Sequence, residues 1–146
     1  MAEKGSHTVL VVDDDPGHRG MLEALLGRWG LAVTSAGDGK EAVARVCERP
    51  FDVVLMDIRM PVMDGYEFLD VVKNNPELAA IPVIVTTQSE GENYELEALE
   101  HGATDFVSKP YKAQVILCRV ASMIHLRENA AMIHLFRKDR TTGLYS

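Results

Sequence analysis

Apolar runs and helical patterns alternate along the first 125 residues of the chain. Five short runs rich in apolar and branched residues predict strands, at residues 9–12, 31–35, 51–56, 81–87 and 104–108. Between them, apolar residues recur at helical spacing. Strands that are joined through helices pair in parallel by right-handed crossovers. The pattern therefore predicts an α/β fold, in which a doubly wound five-stranded parallel sheet carries helices on both faces.

Residues that start or stop helices divide the helical segments. Asp15, followed by proline, is predicted to cap the first helix, and Gly30 is predicted to end it. The periodicity also places Trp29, Cys47 and Cys118 on apolar helix faces, which predicts that these three side chains are buried.

Polar side chains follow the apolar strands at four places. Because the carboxyl ends of parallel strands meet at one edge of a sheet, these side chains are expected to share a cleft. Several carboxylates around one point indicate a hard divalent cation such as Mg²⁺, and a lysine with a hydroxyl suits the oxygens of a phosphoryl group. The residues concerned are Asp13, Asp14, Asp15, Asp57, Thr87 and Lys109.

Composition and charge narrow the class of protein. The chain has 146 residues, 47% of them hydrophobic, and its formal net charge is −7. This acidity argues against direct nucleic-acid binding. No apolar run reaches the length of a membrane span, and the N-terminal residues contain no apolar signal core, so a cytoplasmic protein that does not contact membranes is expected.

The motifs at the strand ends resemble those of a known family. In the order and spacing found here, "VVDDDP", "LMDIRMPVMDG", "PVIVTT" and "VSKP" are similar to the receiver domains of two-component response regulators, over residues 8 to about 125. The resemblance implies a flavodoxin-like fold. It also implies that Asp57 accepts a phosphoryl group from a sensor histidine kinase or a phosphotransfer protein. The chain would thus be a phosphorelay signalling protein.

The resemblance assigns a role to each remaining site residue. Asp13, Asp14 and Asp57 would hold Mg²⁺ together with the backbone carbonyl of Arg59. Thr87 would contact a phosphoryl oxygen, and Lys109 would pair with the phosphoryl group. Thr87 would also act as a switch together with Phe106, which would fill the space that the moving threonine leaves, while Asp15 remains a helix cap.

Three other functions share parts of this pattern. A Mg²⁺-dependent aspartyl phosphatase of the haloacid-dehalogenase type also uses Asp, Thr and Lys, but it needs a threonine where Gly17 stands. A nucleotide- or flavin-binding module needs a phosphate loop rich in small residues after the first strand, where this chain has three carboxylates. A receiver that has lost phosphorylation would lack a site residue, whereas this chain retains them all.

The last residues differ from the rest of the chain in their basic charge and in the length of their helical pattern. Residues 119–146 hold five Lys and Arg against two Asp and Glu, and the helical pattern continues without Gly or Pro from residue 112 to Gly143. Within it, alternating three- and four-residue spacing predicts a coiled-coil seam that would join two copies, formed by Leu126, Asn129, Ile133 and Phe136. Residues 1–125 are therefore predicted to form the receiver, with an extended last helix, and residues 126–146 a linker toward an output domain.

A second, shorter resemblance concerns the output. "DRTTGLYS" is similar to the "D-x-L-T-G-L-Y-N-R" opening of GGDEF domains, which make cyclic di-GMP. It implies a full-length diguanylate cyclase regulated through dimer geometry, whereas this fragment, without the catalytic loop, would not be an enzyme. A stand-alone regulator, or one with a DNA-binding or phosphodiesterase output, is the alternative.

Overall fold

The computed structural model describes residues 7–59, 62–87, 92–109 and 111–125, without the side chains of residues 92–95. Predictions for Leu126, Asn129, Ile133, Phe136 and the "DRTTGLYS" segment lie outside the described residues. The elements, in chain order, are β1 (Thr8–Val12), α1 (Pro16–Arg28), β2 (Ala32–Ala36), α2 (Gly39–Glu48), β3 (Val53–Asp57), α3 (Gly65–Lys73), β4 (Val83–Thr87), α4 (Glu92–Glu100) and β5 (Asp105–Ser108). A fifth helix, α5, follows β5 and covers residues 113–125.

The five strands form one parallel sheet in the order β2-β1-β3-β4-β5. The doubly wound fold predicted from the sequence is confirmed. Strand order reverses between β1 and β3, and β3 lies at the centre of the sheet. In sheets of this kind, ligand sites form beyond the carboxyl ends of the strands at such a reversal.

Each face of the sheet carries its own hydrophobic core. Alternate strand residues point to opposite faces, so neighbours such as Val53 and Val54 belong to different cores. One core packs against α2, α3 and α4, and Phe68 is fully buried in it. The other packs against α1 and α5, where Leu26 and Ile116 are fully buried. The sheet is therefore covered on both sides, which explains why β1, β3 and β4 lack polar alternation.

The predicted helix boundaries are confirmed at Asp15 and Gly30. The Asp15 carboxylate caps α1 by accepting the backbone N–H of Gly17 at 3.0 Å. Gly30 follows α1 with a φ of 84°, a left-handed conformation that favours glycine. Asp64 and Glu67 form a reciprocal capping box at the start of α3.

Three predictions of burial are wrong. Trp29 is 69% exposed, because it caps α1 beyond the last buried turn. Cys47 and Cys118 are also exposed. The buried residues of α5 include Ile116 and Val120, and Cys118, midway between them in sequence, points roughly 200° round the helix from either.

The loop after β3 is fixed against α2 by a close backbone contact. The N–H of Gly39 donates to the Met63 carbonyl at 3.1 Å, and a Cβ on Gly39 would overlap that oxygen. The N–H of Gly65 similarly donates to the Ile58 carbonyl at 2.9 Å. These bonds hold both sides of the loop that follows Asp57.

None of the helices in the described part of the chain combines the length and apolarity needed to cross a bilayer.

Candidate functional site

Three carboxylates gather where β1 and β3 end. Val12 on β1 pairs with Met56 on β3, so the next residues of the two strands, Asp13 and Asp57, emerge side by side. Asp13 is 2% exposed and Asp57 is 8% exposed, whereas Asp14 faces solvent. Each of the three side chains offers an oxygen, and these oxygens lie within 4.8 Å of one another.

This donor set suits a small hard cation. Carboxylate oxygens are the ligands that Mg²⁺ prefers, and Mg²⁺ usually retains water in its remaining positions. The exposed side chain of Asp14 leaves one side of the cluster open to solvent, so that bound water has access. Two buried carboxylates beside each other also repel, and a cation would relieve this repulsion. The residues present therefore fit Mg²⁺.

Asp57 contacts a cation of the protein as well. The Nζ of Lys109 lies 3.3 Å from Oδ2 of Asp57, and the backbone N–H of Arg59 donates to Oδ1 at 3.3 Å. Burial raises the pKa of the Asp57 carboxyl above its ordinary value, Lys109 opposes this shift in pKa, and the negative charge of Asp13 adds to it. The carboxylate is thus held by two donors in an environment that disfavours its charge.

One open cleft of about 600 Å³ contains most of the predicted site. It is lined by Asp13, Asp14, Asp15, His18, Met21, Asp57, Arg59, Lys109 and Tyr111. A second cavity of about 450 Å³, between the end of α2 and the turn before β4, is lined by none of the predicted site residues. The cleft at the strand ends is therefore where the predicted chemistry is concentrated.

Neither of the two predicted switch residues is among those that line this cleft. Thr87 ends β4 and is 1% exposed, and its hydroxyl has no hydrogen-bond partner among the described residues. Its backbone carbonyl accepts the N–H of Lys109 at 2.7 Å. Phe106 is half-buried on β5, where it pairs with Val85. The structure thus places a buried hydroxyl with unused hydrogen-bonding capacity one residue beyond Thr86, the β4 residue that pairs with Asp57.

Two polar residues of the cleft, His18 and Tyr111, were missed by sequence reasoning. His18 lies in the first turn of α1, and its Nδ1 contacts Oδ2 of Asp13. Its Nε2 contacts the hydroxyl of Tyr111, which precedes α5. The position of His18 three residues after the helix cap, next to the predicted carboxylates, was a signal that could have identified it. Burial, together with the charges of Asp13 and Asp57, raises the pKa of Tyr111.

Comparison with known proteins agrees with the fold. The family model of the response regulator receiver domain matches residues 9–121, and the chain belongs to this family. The chain is 42% identical over 125 residues to the transcriptional regulatory protein ZraR of Klebsiella oxytoca, covering 83% of this chain and 28% of that protein. It is 34% identical over 122 residues to the response regulator PleD of Caulobacter vibrioides, covering 84% and 27%.

A solved structure shows the same fold. The receiver domain of the sensor histidine kinase PA1611 from Pseudomonas aeruginosa is described with a magnesium ion coordinated in its active-site cleft. It matches with a TM-score of 0.77 and 28% identity, covering 83% of this chain and 99% of that one. The chain spans about a quarter of the length of the curated relatives ZraR and PleD. The comparisons thus identify a receiver domain and leave its output open.

Proposed function

We propose that the chain is a cytoplasmic, phosphorylated receiver, in which Asp57 accepts a phosphoryl group from a phosphohistidine of a sensor kinase or phosphotransfer protein. An oxygen of Asp57 forms the new bond to phosphorus as the phosphorus–nitrogen bond breaks, and the nitrogen retains the electron pair. The observation that carries this proposal is the pairing of Asp57 with Lys109 at 3.3 Å beside the Asp13 and Asp14 carboxylates.

Five residues of the cleft have a part in this transfer. Asp13, Asp14 and Asp57, with the carbonyl of Arg59, would hold Mg²⁺, which supplies positive charge to the phosphoryl oxygens. Lys109 neutralises a further phosphoryl oxygen and keeps Asp57 oriented. Phosphoryl transfer requires mainly positioning and charge stabilisation, so these groups are sufficient.

Labelling with acetyl phosphate and Mg²⁺ tests the acceptor. We expect one hydroxylamine-labile phosphoryl group per chain by intact mass, and none in Asp57→Asn. Asp15→Asn is the matched control, because asparagine still caps a helix and should leave labelling nearly unchanged. Labelling that persists in Asp57→Asn, or that is lost equally in both variants, would contradict the assignment.

Thr87 and Phe106 are proposed to pass the signal on. The partnerless hydroxyl of Thr87 can turn toward a phosphoryl oxygen on Asp57, and the ring of Phe106 can then move into the space it leaves. Chemical shifts of the protein with and without beryllofluoride should change from Asp57 through Thr87 to α5. Thr87→Ala should confine these changes to the cleft, whereas Thr87→Ser, which retains the hydroxyl, should not. Changes that spread equally in both variants would exclude the switch.

For the output, we propose that this receiver controls a diguanylate cyclase in a longer, dimeric regulator. The "DRTTGLYS" segment and the predicted seam through Leu126 and Ile133 support this proposal. Similarity to a transcriptional regulatory protein supports a DNA-binding output as the second candidate. The codons that follow residue 146 in the gene decide between them, because a GGDEF motif or a DNA-binding domain would be encoded there.

Sedimentation tests the dimer separately from the output. The wild-type chain should associate more strongly with beryllofluoride than without it. Polar substitutions at Leu126 and Ile133 together should abolish association. A monomer under all conditions would exclude dimer geometry as the means of regulation.

A further inference from the structure

We propose that His18 is a positioning residue that holds the buried carboxylate of Asp13 in place for the cation, and that Tyr111 in turn orients His18. Two contacts link Tyr111, which precedes α5, through His18 to Asp13 in the carboxylate cluster. This proposal rests on the proposed function, since it assumes that the cleft binds Mg²⁺.

The carboxylate of Asp13 is fixed at both of its oxygens. Oδ1 accepts the backbone N–H of Asp15 at 2.9 Å, and Oδ2 contacts Nδ1 of His18. The backbone carbonyl of Asp13 accepts a further bond from Arg19 at 2.7 Å. A carboxylate oxygen accepts more than one hydrogen bond, so each oxygen retains a lone pair for the cation or its water. The contacts therefore orient the Asp13 carboxylate and leave a lone pair on each of its oxygens available to the cation or its water.

The two contacts of His18 define its ring orientation. Nδ1 faces a carboxylate, which only accepts, so Nδ1 carries the proton and donates it. In the neutral ring, Nε2 is then an acceptor, and the hydroxyl of Tyr111 donates to it. Without Tyr111, Nε2 would lose this hydrogen bond, and the ring would be held at Nδ1 alone. Metal ligands, and the histidines beside them, are commonly oriented by hydrogen bonds of this kind.

His18 acts on the cation through Asp13 rather than as a ligand. The cluster of oxygens that meet within 4.8 Å consists of Asp13, Asp14 and Asp57. The Nδ1 atom of His18 points at Asp13 and its Nε2 atom at Tyr111, so both ring nitrogens are engaged. A loss of His18 should thus weaken cation binding without removing a ligand.

Titration calorimetry of the full chain with MgCl₂ tests the proposal. His18→Leu, which removes the donor, should weaken Mg²⁺ binding about tenfold, in the range found for partners of metal ligands. His18→Asn is the conservative control, because its amide nitrogen occupies about the place of Nδ1, and it should restore most of the affinity. Tyr111→Phe should weaken binding severalfold in the wild-type background and have no effect in the His18→Leu background.

The outcomes separate this inference from the proposed function. Wild-type protein that fails to bind Mg²⁺ would contradict the proposed function itself. Wild-type binding with unchanged affinity in His18→Leu, or equal loss in His18→Leu and His18→Asn, would overturn the positioning role alone. Should His18→Leu not fold, as judged by circular dichroism, the comparison of His18→Asn with Tyr111→Phe decides. Tyr111→Phe must then weaken Mg²⁺ binding in the wild-type background and leave the affinity of His18→Asn unchanged.

Discussion

Replacing Asp57 by asparagine should stabilise the metal-free protein at neutral pH, although it removes the phosphoacceptor. Asp57 is buried beside Asp13, and the pKa of its carboxyl is raised because burial and the Asp13 charge outweigh the attraction of Lys109. An ionised carboxylate in such a place opposes folding. Asparagine has nearly the same shape and carries no charge, so the substitution removes this opposition.

The contributions can be estimated from the distances. At an effective dielectric constant of about 20, two unit charges no more than 4.8 Å apart repel by at least roughly 3.5 kcal/mol, and a pair 3.3 Å apart attracts by roughly 5 kcal/mol. Taking the carboxylate out of water costs several kcal/mol more. The terms largely cancel, and the raised pKa shows that the unfavourable ones are larger. We expect a net gain of about 1 kcal/mol, or a rise in Tm of about 4 °C.

Thermal unfolding in EDTA at several pH values is the assay. A raised pKa means that the folded state binds the proton more tightly. The stability that the Asp57 carboxyl contributes to the wild type is therefore fully present below pH 3.8, its ordinary pKa. It is lost as the pH rises through the higher pKa of the folded state. The advantage of Asp57→Asn should thus appear with rising pH and then level off. A variant less stable than the wild type at neutral pH would refute the reasoning.

Three further predictions concern stability, measured by urea unfolding. Gly39→Ala should destabilise the protein by about 2 kcal/mol, because its Cβ would meet the Met63 carbonyl, whereas Gly20→Ala, with open space around it in α1, should stabilise by about 0.5–1 kcal/mol. Equal effects would contradict the close contact. Asp64→Ala should cost about 1 kcal/mol by removing the capping box of α3. Thr87→Val, which replaces a buried partnerless hydroxyl by a methyl group, should raise the metal-free stability by up to about 1 kcal/mol, and a clear loss would indicate an unrecognised partner.

The features predicted correctly from the sequence depend on local chemistry or on a general rule of the fold. Asp15 and Gly30 act on the backbone within a few residues, so their neighbours in sequence are sufficient to identify them as helix ends. The meeting of Asp13 with Asp57 follows from parallel pairing, because parallel strands end at the same edge of the sheet. Neither inference needs the detailed packing of the protein.

The features that were missed or wrong depend on packing between distant segments. His18 and Tyr111 are 93 residues apart, and their contact exists because the first turn of α1 lies against the residue that leads into α5. The exposure of Cys47 depends on how α2 is rotated over the sheet, since Ala42 and Val46 define its buried side and a single residue turns by about 100°. Apolar periodicity identifies a helix more securely than it fixes this rotation.

The central position of β3 has a consequence for the order of events in folding. Asp57 and Lys109 are 52 residues apart in sequence, and Asp13 comes from yet another segment, so the cleft forms when β1, β3 and β5 are already in one sheet. Parallel pairings over such distances form slowly, because each must close a long loop before any contact is gained. A cation whose carboxylate ligands follow β1 and β3 finds no site in chains in which these two strands have not yet paired. It should therefore slow unfolding of the native state while leaving the rate of folding almost unchanged.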